Sequence, residues 1–103
     1  MFDKLAATER QYDELLARLG SAELQSDPAE FRRQSKILAG IETLVERFRA
    51  YKAVVREIAD TEEMIAGGDP EMRDMAHDEL KELVARRDAL IAELKILIVP
   101  KDP

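Results

Sequence analysis

The side chains able to do chemistry in this 103-residue chain are mainly carboxylates, and they are gathered in one place. From Asp60 to Glu79, eight of twenty residues are acidic and only Arg73 is basic, a net −7. The chain as a whole carries −6, so the other 83 residues sum to +1. Charge concentrated in this way repels phosphate backbones and attracts basic proteins. Paired carboxylates such as Glu62-Glu63 have the oxygens to hold a hard cation, but the alternating ligands and central glycine of an EF-hand are missing. With no cysteine and the single His77, the usual ligands of a zinc site are absent. His77, between Ala76 and Asp78 on an exposed helix face, reads as a surface imidazole, because a pH switch needs a partner arrangement. Gly67-Gly68 is followed by Asp69 and not by Lys-Ser/Thr, so it is a helix stop and not a phosphate loop. No catalytic constellation results.

Two binding surfaces remain. Met64, Ile65, Met72 and Met75 stand among the acids, with Asp69, Asp74 and Asp78 beside them. Methionine is adaptable and common at contact surfaces, so this stretch is a candidate docking site for a basic partner. Hairpin packing accounts for part of the apolar pattern, but packing does not call for a net −7. The second surface is Arg49, Lys52 and Arg56 on one helix face, which could meet RNA phosphate. Its bland reading is a solvated face with local pairs to Glu46 and Glu57, and the overall negative charge argues against RNA.

The elements that carry these residues follow from punctuation and period. Hydrophobic residues make up 46% and charged residues 37%, while aromatics are only 5%, a balance that fits one elongated all-α domain and not a thick globular core. The first helix runs from about 2 to 19, with Phe2, Leu5, Tyr12, Leu16 and Leu19 on its apolar face and Gly20 as its C-terminal cap. Residues 21–26 connect it to Asp27-Pro28-Ala29-Glu30, a cap, a first-turn proline and a glutamate three residues after the cap. The second helix spans 28 to 66, about 58 Å at ~1.5 Å per residue. Its predicted seam is Ile37, Ile41, Leu44, Phe48, Tyr51, Val55, Ile58, Glu62 and Ile65, in heptad steps. Gly40 within it marks either close helix contact or a bend, at a cost of roughly 1 kcal/mol relative to Ala.

Asp69-Pro70 starts a third helix, 70 to 97, with Met72, Ala76, Leu80, Leu83, Arg87, Leu90, Leu94 and Leu97 as its seam. Pro100 and Pro103 forbid its continuation. The short Gly-Gly turn makes the second and third helices antiparallel neighbours, with Phe48 near residue 88. The expected architecture is an elongated three-helix antiparallel bundle, a coiled-coil hairpin with one very long central helix. The angle of the first helix is left open by the connection from Gly20 to Asp27. From about Arg56 to Leu80 the hairpin stands without a third helix. Phe31, Leu38, Tyr12, Leu15, Leu16, Leu19 and Ile98 form an apolar opposite end, to be covered by further chain or by self-association. The start, Met1-Phe2-Asp3-Lys4, is no signal peptide, and the longest purely aliphatic run, Ile96 to Val99, is far short of a membrane span. From these features, together with the lack of cysteine, a cytoplasmic chain with no membrane partner is expected.

The run Asp69-Pro70-Glu71-Met72-Arg73-Asp74-Met75-Ala76-His77-Asp78-Glu79-Leu80 resembles the N-terminal helical domain of bacterial peptide chain release factors, of the class reading UAA and UAG. Asp27 to Ile41, with Phe31-Arg32 and Ser35, is similar to the start of that family's long helix. Ile96 to Val99 followed by Pro100-Lys101-Asp102-Pro103 resembles the passage to the next domain. The resemblance covers the whole chain, dividing it into a helical domain 1–99 and the start of a linker at 100–103. It implies a part in translation termination, with the ribosome near its stalk base and the GTPase release factor as partners. It implies no cofactor. In that family a second domain reads the stop codon and a third carries Gly-Gly-Gln for peptidyl-tRNA hydrolysis. No Gly-Gly-Gln occurs here, so the segment is expected to be a non-catalytic docking domain whose apolar end joins the rest of its own chain. The competing reading is a free-standing helical coiled-coil adaptor acting by self-association.

Overall fold

The computed structural model describes residues 1–100, and the end of the expected linker, 101–103, lies outside them. The described residues form four α-helices and no strand: α1 (Phe2–Leu19), α2 (Ala22–Gln25), α3 (Pro28–Gly67) and α4 (Pro70–Leu97). The expected three helices are all present within one residue of their predicted ends. The fourth, α2, corrects the reading of 21–26 as plain connection. Ser21 caps it, its Oγ accepting from the Leu24 N–H at 3.3 Å. A single turn has no period to betray it, and only the capping serine marked its start.

The chain divides into two compact units, Met1–Glu46 and Arg47–Pro103, and α3 contributes to both. In the first unit, Asp27 caps α3, its Oδ1 accepting from the Glu30 N–H at 3.3 Å. Leu5, Leu15, Gln34 and Val45 are its buried residues, with Leu38, Ile41 and Leu44 half-buried. Two expectations are corrected here. Leu15, not Leu16, turns inward on α1, and Ile37 is exposed while Gln34 occupies the interior position. Burial of Gln34 is made tolerable by Glu30, whose Oε1 accepts from Gln34 Nε2 at 3.1 Å, although Gln34 Oε1 has no partner among the described residues. Arg33 pairs with the same carboxylate, and these contacts hold Glu30 well below the usual carboxylate range, at about 2, the Arg33 hydrogen bond being the largest cause. Gly40 has nothing within 4 Å of where a Cβ would stand, so of the two readings, close helix contact or a bend, the first is excluded, and α3 runs through it as one helix.

The second unit is a hairpin of α3 against α4. Its core is Val54, Ile58, Leu83 and Leu90, with Ala50, Tyr51, Leu80 and Val84 packed against it. Arg47 Nε meets Glu93 Oε1 at 2.6 Å, which fixes the antiparallel register to within about one turn of the predicted pairing. The α4 seam is as expected except at Met72, which is exposed because the pair ends there. The α3 seam holds at Phe48, Tyr51, Ile58 and Ile65 but shifts by one residue at two positions of its distal half. Val54 and Thr61 are buried where Val55 and Glu62 were expected, and both of those face solvent. The physical reason is plain at Thr61: its hydroxyl donates to the Glu57 carbonyl at 2.8 Å, so the side chain enters the interface satisfied, which a glutamate could not.

Candidate functional site

The acidic tip begins with its turn. Asp69 caps α4, its Oδ1 accepting from the Glu71 N–H at 3.3 Å, and Pro70 follows in the first turn, where its missing N–H costs nothing. Gly68 is required by space, since a Cβ there would stand 2.4 Å from the Met64 carbonyl oxygen. Close to this turn the hairpin interior is narrow-chained: Thr61 and Ala76 are the buried residues, 4% and 3% exposed. Small side chains inside leave the larger ones outside. Met64, Met72 and Met75 are 45%, 49% and 72% exposed.

The exposed methionines do not stand singly. Met64 and Met72 line two troughs at once. One, of about 420 Å³, is rimmed by Asp60, Glu63 and Asp69 beside the Gly67-Gly68 turn. The other, of about 300 Å³, adds Met75 and is rimmed by Asp78, Glu79 and Glu82. Helical spacing explains the grouping: Asp60, Glu63, Met64 and Gly67 share one face of α3, and Met72, Met75, Ala76 and Glu79 one face of α4. The result is an apolar strip between two acidic rims.

Of the residues singled out in the sequence, Met64, Asp69, Met72, Met75 and Asp78 line these troughs, whereas Asp74 is exposed and lines neither. Ile65 is half-buried and His77 is exposed. Asp60, Glu79 and Glu82 were not expected individually; the signal that would have found them is their spacing of four or seven from the methionines, whereas Glu63, named only as a carboxylate pair with Glu62, stands next to Met64. On the other candidate surface, Lys52 Nζ sits 4.8 Å over the Phe48 ring, which itself stacks on Tyr51 at 6.3 Å. That lysine is engaged with its own helix. Among the described residues no group of three or more His, Asp or Glu is placed to hold a metal ion, and no helix is long and apolar enough to cross a membrane.

Helices without a strand, with the charge collected at one interhelical turn, define an all-α helical domain. Comparison with known proteins gives the family. The PCRF domain matches residues 8–103, and the chain belongs to that family. It is 43% identical, over its whole length, to the "Peptide chain release factor 1" of Streptococcus equi subsp. equi and to that of Geotalea uraniireducens. It is 38% identical to the protein of the same name from Geobacillus kaustophilus. The chain spans only 28–29% of the length of these relatives. No solved structure matches it.

Proposed function

We propose that this chain serves translation termination as the ribosome- and factor-docking domain of a peptide chain release factor, without catalytic chemistry of its own. Family membership supports the process, and the observation that carries the docking role is the methionine strip between acidic rims at the α3–α4 turn. A solvated hairpin end has no need of three exposed methionines, and methionine beside fixed charge suits a contact that is both steered and adaptable. Basic protein of the ribosomal stalk base, or of the GTPase release factor, is the complementary surface. The setting is the cytoplasm, where ribosomes are.

The test uses a chimera in which this chain replaces the matching segment of the Geotalea uraniireducens relative. Peptidyl-tRNA hydrolysis on stop-programmed ribosomes and recycling by the GTPase factor are then followed for Asp69→Lys with Asp78→Lys. We expect a loss of about tenfold in kcat/KM or in recycling, as for reversal of complementary charge, and little effect of Asp74→Lys alone. Unchanged release and recycling in the double variant would reduce the tip to a solvated turn. The isolated chain should hydrolyse no peptidyl-tRNA.

A further inference from the structure

We infer that the occupant of the tip is a single basic amphipathic helix, laid across Met64, Met72 and Met75; the inference rests on the docking reading above and names the chemistry of the partner. Three observations carry it. The first is shape. The two troughs share Met64 and Met72, the first lined by α3 and the turn and the second mainly by α4 from Met72 to Glu82, so an occupant of both must lie across those two methionines.

The second is charge placement. Asp60, Glu63 and Asp69 line one trough and Asp78, Glu79 and Glu82 the other, with Met64 and Met72 shared between them. An occupant must therefore be apolar along its centre and cationic along both flanks. A helix with an aliphatic stripe bordered by Lys and Arg has that cross-section, and i, i+3, i+4, i+7 anchors are how such a helix reads a groove. A second copy of the same tip would bring acid against acid, and a nucleic acid would bring phosphate.

The third is what the surface lacks for other modes of peptide capture. Among the described residues there is no strand, so an extended peptide finds no sheet edge to join. Neither trough contains an aromatic residue, so a polyproline segment finds no ring to stack on. The lining offers thioether and methylene, which suits Leu or Ile knobs of varied shape.

The test uses the 103-residue chain with its four methionine methyls labelled with carbon-13. The probe is a synthetic 14-residue helical peptide with Leu at i, i+3, i+4, i+7 spacing and Arg on the flanks. A second peptide of the same composition, scrambled so that no apolar face forms, is the control, and a single-stranded RNA oligonucleotide is the third arm. The helical peptide should shift the Met64, Met72 and Met75 methyl signals and leave Met1, in the other unit, unmoved. The scrambled peptide should bind about tenfold more weakly, and Met64→Gln with Met72→Gln should lower affinity for the helical peptide by a similar factor, as expected when contact-surface anchors are removed. Asp74→Lys should change little. Equal affinity for the two peptides, or indifference to the methionine changes, overturns the helix while leaving acidic docking standing. Failure of both peptides, or preference for the RNA, also overturns it. The ribosomal assay of Asp69→Lys with Asp78→Lys judges the docking reading separately.

Discussion

The middle and the tip of the α3–α4 hairpin use the same two helices on the same period, yet they bury opposite kinds of residue. In the middle, Val54, Ile58, Leu83 and Leu90 are inside and charge is outside. At the tip, Thr61 and Ala76 are inside and Met64, Met72 and Met75 are outside. Each large side chain moved from interior to surface gives up the stabilisation of burial, ~1.5–3 kcal/mol for a fully buried aliphatic. The tip therefore has only a thin interior, Thr61, Ala76 and half-buried Ile65, beside its turn and the Asp69 cap. The comparison teaches that stability and recognition are separated along one helix pair by exchanging which side of the seam holds the bulky residue.

The sharpest way to break this comparison is truncation at both sites. Leu83→Ala should destabilise the chain by ~2–5 kcal/mol in urea unfolding, the usual cost of a core cavity. Met75→Ala, at a side chain mostly in solvent, should stay within ~0.5 kcal/mol. A comparable loss at both would show that the tip is packed like the middle. Next in size, Gly68→Ala should cost ~1–3 kcal/mol, because the new methyl must displace the Met64 carbonyl or the turn itself. Gly40→Ala has free space and a helical backbone, and should add ~0.5–1 kcal/mol of stability in the same assay.

A smaller effect tests the charge. Replacing Asp78 by Asn relieves like-charge repulsion in a region of net −7 and should raise stability by a few tenths of a kcal/mol (~0.3) at low salt, less as salt screens it. A loss of stability instead would mean that Asp78 makes an interaction within the folded chain. The smallest effect is in the first unit. Glu30 has its folded pKa depressed from 4.5 to about 2, so its contribution is fully present above 4.5 and is lost as the pH falls toward 2. Both partners are solvent-accessible, so the contribution is small. An NMR titration of the Glu30 carboxyl should follow this window in the native chain and revert toward the ordinary carboxylate value in Arg33→Ala.

How far the fold could be read beforehand depends on how each helix is punctuated. Pro28 after Asp27 and Pro70 after Asp69 announced α3 and α4, and both caps are present. The α4 seam was legible because Leu80, Leu83, Leu90, Leu94 and Leu97 fall on one stripe at steps of three, four and seven, although Val84 and Ile91 stand beside it. On α3 and α1 the chain offers apolar neighbours, Val54-Val55 and Leu15-Leu16, and the period is satisfied by either member. Only the helix packed opposite selects Val54 and Leu15. At Glu62 the heptad pointed to a carboxylate, and desolvation chose the adjacent Thr61, whose hydroxyl finds a carbonyl within its own helix. The methionines and acids at the tip were visible as composition. That Asp74 lines neither trough, and that Glu79 and Glu82 do, became visible only with the troughs themselves.

Local chemistry alone determined the three long helices, their stops and the net −7 at one turn, because caps, prolines and charge act within a few residues of where they are written. Which of two adjacent side chains is buried depended on the facing helix, since an i and i+1 pair differs by about 100° of rotation and only an opposing surface breaks that tie. The same physical fact turned a list of methionines and carboxylates into a strip with two rims.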